Sequence, residues 1–163
     1  MKSIHIKAPT IPSTVIPSQV FVFLAGSIGL PDSGGSAENW QQTVVDTFPE
    51  NVVFFNPRRD DWDSTWDQDS DKFNEQVNWE LDRLGNADII LLYFDPSTKS
   101  PISLLELGLH ARSGKLLVCC PDGFWRQGNV RVVCERYRVP YFTDKDAWMK
   151  AIASVLVKWT WDY

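Results

Sequence analysis

Ile89-Ile-Leu-Leu-Tyr-Phe94 is apolar without interruption and is entered through Asp88. A strand with one wet face alternates apolar and polar residues, so an unbroken run predicts a strand covered on both faces. Val20–Ala25, Val52–Phe55 and Lys115–Cys120 repeat the pattern more briefly, and a short strand is expected at 139–142. Helical segments alternate with these runs. Ser36 is expected to cap a helix over about 37–48, and residues 71–86 place Phe73, Val77, Leu81 and Leu84 on one stripe. Ser100 as cap and Pro101 at the first helical position open a third helix, which ends near Ser113 with Gly114 behind it. A fourth helix is expected near 129–137. A fifth runs from Asp144 to about Trp159, where Thr143 and Asp146 have capping-box spacing. Strand–helix alternation with fully apolar strands predicts an α/β fold: a five-stranded parallel sheet, order 2-1-3-4-5, with helices on both faces. Ligands of such sheets bind at the carboxyl ends of the strands.

Residues 1–18, with prolines at 9, 12 and 17 and no sustained period, read as an extended N-terminal arm. Residues 19–163 read as a single domain, long enough to bury a core without staples. Sixteen basic against 21 acidic residues leave a net charge of −5, which argues against a polymeric nucleic-acid partner but not against a mononucleotide in a local pocket. Cys119, Cys120 and Cys134 are odd in number and two are adjacent, so free thiols in a reducing compartment are expected. Val20–Ala25 is too short to span a bilayer, and the proline-bearing segment before it is a poor signal sequence, so no membrane association and a cytoplasmic location are expected.

The loops exclude several chemistries. Gly26-Ser-Ile-Gly29-Leu-Pro31 after the first strand is not a dinucleotide fingerprint, and no Gly-Lys-Ser/Thr follows any strand. His5, read as solvated, and His110, read as a packed helix residue, are too few for a histidine metal site or a Ser-His-Asp triad, and no metal or other cofactor is implied. Glu106 stands out. It is the only formal charge between Lys99 and Arg112, amid Leu104, Leu105, Leu107 and Leu109, so it must be paired, exposed at a rim, or used. Gly108, inside the same helix, admits a close approach by either the sheet or a ligand. Glu75, Glu80, Asp82 and Asp88 form a second acidic cluster, in which Glu80 falls late in its helix. Asn56-Pro-Arg58-Arg59-Asp60-Asp61-Trp62 follows the second strand, either to read the polar edge of a heterocycle or as a self-paired surface loop.

Phe23-Leu-Ala-Gly26, Glu80 eight residues before Asp88, and Leu105-Glu-Leu-Gly108 together resemble the nucleoside 2-deoxyribosyltransferase family. The Arg58–Trp62 loop and Gly123-Phe-Trp-Arg-Gln-Gly-Asn129-Val resemble its divergent, deoxyribosyltransferase-like branch, and the likeness covers roughly residues 19–142. It implies a flavodoxin-like three-layer sandwich. It also implies cleavage of the N-glycosidic bond of 2′-deoxynucleosides, with transfer of the deoxyribosyl group to another free base through a covalent glycosyl-glutamate. Some relatives hydrolyse nucleoside 5′-monophosphates instead, and a non-catalytic nucleotide-binding module is the remaining alternative. On this likeness Glu106 is the nucleophile, Glu80 the acid on the base, and Asn129 a residue lent to the site of a neighbouring subunit in a homo-oligomer. Phe23 stands where the family has a tyrosine. Ser100 stands where the family often has an aspartate for the sugar hydroxyls, with Asp95 a substitute in the same loop. Gly26, Ser27, Arg58, Asp60 and Asp61 complete the expected substrate contacts.

Such a reaction needs one carboxylate and one carboxylic acid. Glu106, near a helix N-terminus, is expected to stay ionised, and Glu80, near a helix C-terminus, to hold the proton. The two carboxyls are expected in one cleft within about 8 Å, with Glu75, or Asp60, Asp61 and Asp95, as fallback acids.

Overall fold

The computed structural model describes residues 2–12, 19–28, 38–48, 50–61 and 66–161. In chain order the elements are β1 (Ile4–Lys7), β2 (Val20–Gly26), α1 (Trp40–Thr47), β3 (Val52–Asn56) and α2 (Asp71–Asn86). They continue with β4 (Ile89–Tyr93), α3 (Pro101–His110), β5 (Leu116–Cys119), α4 (Gln127–Tyr137), β6 (Tyr141–Phe142) and α5 (Lys145–Trp161). The strands form one sheet in the order β1-β3-β2-β4-β5-β6, and every pairing is parallel.

The five expected strands take the expected order. The sixth, β1, comes from the arm and pairs beyond β3, with Ile4 opposite Val53 and Lys7 opposite Asn56. Its four residues, Ile-His-Ile-Lys, are too short a pattern to announce a strand. Ser3 extends the junction: its hydroxyl accepts the Val52 N–H at 3.1 Å and donates to the Phe48 carbonyl at 3.0 Å.

The unbroken apolar runs are sorted by the pleat. Phe23, Ala25, Val53, Phe55, Ile90 and Leu92 enter one core with Trp79 and Leu84 of α2, Leu107 of α3, and Val130 and Cys134 of α4. Val22, Leu24, Val52, Phe54, Ile89 and Leu91 enter the other with Trp40 and Val44 of α1 and Trp148 and Ile152 of α5. Three layers follow, with α2, α3 and α4 on one face and α1 and α5 on the other. Buried tryptophans require a partner for the indole N–H. Trp40 finds the Ser27 carbonyl at 3.0 Å, Trp79 that of Thr10 at 2.8 Å, and Trp148 that of Leu117 at 3.2 Å.

Several local expectations change. On α2 the buried residues are Gln76, Trp79 and Leu84, whereas Val77 and Leu81 are exposed. The indole outweighs the two aliphatic side chains, and its N–H reaches a partner only when it faces inward. Asn39 caps α1 and accepts the Gln42 N–H, while Ser36 lies outside the described residues. Asp144 rather than Thr143 caps α5, accepting the Ala147 N–H at 2.7 Å. His5 is half-buried and bonded to Asn56 rather than solvated. The three cysteines are free and buried, and burial pushes each thiol up to about 12, too high for a nucleophile. Among the described residues no helix is long and apolar enough to cross a membrane.

Candidate active site

β2 and β4 lie side by side at the centre of the sheet and end together, with Gly26 opposite Tyr93. Gly26 has φ +124°, and a Cβ there would lie 2.7 Å from the Tyr93 nitrogen and closer still to its carbonyl oxygen. Only glycine fits this close passage of backbone. The turn it permits lets the Ser27 N–H reach the Tyr93 carbonyl at 2.8 Å and places the Ser27 hydroxyl over the carboxyl edge.

Three hydroxyls meet at that edge. Ser27 Oγ lies 2.8 Å from Thr98 Oγ1 and 2.6 Å from Ser100 Oγ, and Thr98 and Ser100 are 2.7 Å apart. The Asp95 N–H donates to Ser27 Oγ, and Thr98 donates to the Asp95 carbonyl, so the β4–α3 loop closes around the trio. Ser100 occupies the expected cap position of α3, but its side chain makes no cap hydrogen bond. Its φ of +43° is left-handed, a conformation that costs a non-glycine residue about 1–3 kcal/mol. The strain turns its hydroxyl into the trio. The Asp95 carboxylate is turned away and accepts from the Ser97 N–H and hydroxyl.

α3 presents Ser103, Glu106 and Leu107 inward, and Glu106 is only 7% exposed. Among the described residues no hydrogen bond reaches its carboxyl group. Among the described residues, then, neither pairing nor rim exposure, two of the three ways a carboxylate can sit among leucines, accounts for it. Burial pushes its pKa up to about 8, and the charge of Glu80 adds to the shift. The expectation of an ionised Glu106 is thus corrected. The residue lies in the second turn, past the free N–H groups at the helix start, and among the described residues no donor compensates its desolvation.

Glu80 is half-buried and not turned to bulk solvent. Burial raises its pKa, and a hydrogen bond from Gln76 partly opposes this. Gln76 Nε2 donates to Glu80 Oε1 at 2.7 Å and to the Pro57 carbonyl at 3.0 Å. The effect of Glu80 on Glu106 places both in one electrostatic neighbourhood, although they belong to different helices. Glu75, the expected substitute, is exposed and bonded to Arg59 at 3.1 Å.

The loop after β3 divides into two behaviours. Arg59 lies under Trp66, with Asp61 held at 2.6 Å and Glu75 at 3.1 Å, and Asp60 pairs with Lys7 at 2.7 Å. This part is the self-paired surface loop, and Asp60 and Asp61 both face solvent within it. Arg58 differs. Among the described residues it has no ion pair, its one side-chain bond is a long 3.4 Å contact to Gln41 Oε1, and its Nε is buried without a partner. Burial lowers its pKa. Gln41 in turn reaches the Ser27 carbonyl at 3.5 Å, so Gln41 links Arg58 to the backbone of Ser27. Trp62 lies outside the described residues.

Phe23 is fully buried, 6.2 Å from the Trp79 ring centre. Asn129 is exposed in a cavity of about 290 Å³ between α3 and α4, where Leu104, Gly108, Trp125, Arg126 and Val133 also line the wall. Among the described residues, apart from its own stretch of helix, nothing lies within 4 Å of a Cβ built on Gly108, so the sheet is not what its small size admits. Three further residues help to build the site and were not singled out from the sequence: Thr98, Gln76 and Gln41. The i, i+4 spacing of Gln76 and Glu80 is the one signal that could have found any of them. Among the described residues no group of three or more His, Cys, Asp or Glu could hold a metal ion.

A family model described as nucleoside 2-deoxyribosyltransferase like matches residues 19–124. Comparison with curated proteins gives no match.

Proposed function

Because the chain belongs to the nucleoside 2-deoxyribosyltransferase-like family, we propose that it cleaves the N-glycosidic bond of 2′-deoxynucleosides and passes the deoxyribosyl group to a second base. The observation that carries this reading is the Glu106–Glu80 pair: two carboxyls on different helices, both with raised pKa, one acting on the other beside the carboxyl edge of the sheet. Burial of both groups, and the repulsion of Glu106 by Glu80, disfavour two charges in the site, and the singly ionised state has one carboxylate and one carboxylic acid. A retaining glycosyl transfer needs that charge state, with one carboxylate to attack and one carboxylic acid to protonate the leaving group.

The steps balance as follows. As positive charge develops at C1′, the Glu106 carboxylate is favoured and the proton resides on Glu80. A Glu106 oxygen bonds to C1′, the C1′–N bond breaks, and its electron pair goes to the base nitrogen, which takes the Glu80 proton. The acceptor base then attacks C1′ and expels Glu106, and its N–H proton returns to Glu80. Incubation of a deoxynucleoside with a different free base, read by chromatography, is expected to yield a new deoxynucleoside. In Glu106→Gln turnover is expected to fall by about a thousandfold or more, as for loss of a covalent nucleophile. Unchanged turnover in that variant refutes the covalent route.

Arg58 favours a second reading, hydrolysis of a nucleoside 5′-monophosphate with water as the acceptor. A half-buried guanidinium with no ion pair among the described residues, linked through Gln41 to the Ser27 backbone, suits a phosphate. Nucleotide incubated alone would then release free base and a sugar phosphate. Assembly belongs to the same proposal. Ile102, Leu105 and Leu109 expose one apolar stripe of α3 beside the cavity that holds Asn129, as an interface with a second copy would require.

A further inference from the structure

We propose that β1 and the turn after it are a positioning device for the Glu80 carboxyl, so that residues 4–10, which lie outside the span matched by the family, belong to the catalytic apparatus. The role of Glu80 as acid is taken from the reading above. Its placement by the arm is a separate matter.

Two routes run from the arm to Glu80. The first passes through its neighbour on α2. The Thr10 carbonyl accepts the Trp79 indole N–H at 2.8 Å, and the Trp79 ring packs against Phe23 and Phe55 at centroid distances of 6.2 and 6.3 Å. The ring cannot turn without losing the hydrogen bond and disturbing both contacts. That sets the rotation of α2 about its axis at the turn that carries Glu80, and Val77 and Leu81 are left outside as a consequence.

The second route passes through the loop after β3. The Ala8 N–H donates to the Asn56 carbonyl at 3.1 Å. Asn56 Nδ2 lies 3.0 Å from His5 Nε2, and Asn56 Oδ1 accepts the Arg58 N–H at 2.9 Å. Lys7 adds its ion pair with Asp60. Between these anchors sits Pro57, whose carbonyl receives one proton of the Gln76 amide while the other goes to Glu80. Both Gln76 donors are therefore engaged, one on a loop held by the arm and one on the carboxyl group. Displacement of the loop moves the amide, and with it the donor that fixes one oxygen of Glu80.

The test uses the full chain. Trp79→Phe keeps an aromatic ring and removes the N–H. The double variant His5→Leu/Lys7→Met loosens the loop from the arm without touching either core. Both are expected to lower kcat, Trp79→Phe by roughly 10- to 100-fold, the cost of an ångström-scale misplacement. KM is expected to change by less than about twofold, because binding contacts remain. The carboxyl carbon of Glu80, followed by carbon-13 NMR against pH, is expected to titrate nearer the ordinary glutamate range in Trp79→Phe, where water gains access, and above wild type in the double variant, where the Gln76 donor that lowers its pKa is displaced. This readout requires no turnover. A Glu80 titration that shifts in the variants, while the wild type lacks glycosidic activity, refutes the proposed function and supports the positioning role. A Glu80 titration unmoved in both variants overturns the positioning role, whatever the activity. Should Trp79→Phe fail to fold, the double variant decides by the same measurement.

Discussion

Glu106→Gln should change how stability depends on pH, and the sign follows from the direction of the shift. The folded carboxyl titrates at about 8 against 4.5 for an ordinary glutamate. Between those values the folded chain holds a proton that the unfolded chain has released, so stability falls as pH rises through the window and is level above it. The interval corresponds to a ceiling of roughly 5 kcal/mol, which relaxation and water entry reduce towards about 2–3 kcal/mol. A typical domain has only about 5–15 kcal/mol of stability, so even the reduced figure is large. Glutamine keeps the shape and cannot ionise. Urea titrations followed by tryptophan fluorescence should therefore show variant and wild type within about 1 kcal/mol at pH 4 and the variant more stable by about 2 kcal/mol or more at pH 9. The repulsion from Glu80, which the neutral amide removes, is already part of that shift. His5, whose pKa is lowered chiefly by burial, makes stability rise with pH over a lower range, but it is common to both proteins and cancels in the difference. Parallel stability curves for the two proteins from pH 4 to 9 would refute the account of Glu106 as a desolvated carboxyl.

Gly26→Ala should cost about 3 kcal/mol or more, because a Cβ meets the Tyr93 backbone and φ +124° is strained for alanine; a melting temperature within a degree or two of wild type contradicts this. Arg58→Met should leave the fold as stable as wild type or more so, since a half-buried cation with no ion pair among the described residues is removed, while calorimetric affinity for a nucleoside 5′-monophosphate falls by roughly tenfold or more. Equal affinities would show that no phosphate meets Arg58. If Asn129 serves a neighbouring site, a mixture of Glu106→Gln and Asn129→Ala should regain activity that neither has alone, because mixed oligomers contain one intact site. A mixture as inactive as its parts, or an active monomer by light scattering, speaks against a shared site.

The local sequence determined the sheet and its order. Unbroken apolar runs need cover on both faces, and their alternation with helices leaves few topologies. It also singled out Glu106, since a lone charge among four leucines has few comfortable states. The tertiary structure decided what depends on neighbours distant in the chain. β1 became a strand because β3 offered it an edge, and α2 turned Trp79 inward because Thr10 supplied an acceptor 69 residues away. The charge state of Glu106 was misjudged from its place near a helix start. Its pKa follows from burial and from Glu80 on another helix, neither of which is a local property. Within one loop, Arg58 and Arg59 are the same residue in nearly the same sequence context. Asp61 and Glu75 satisfy Arg59, while Arg58 is left beside Gln41 without an ion pair among the described residues, and only the folded arrangement separates them. Strand runs and helix periods are encoded at short range, whereas desolvation and hydrogen-bond partnership arise when distant segments close over one another.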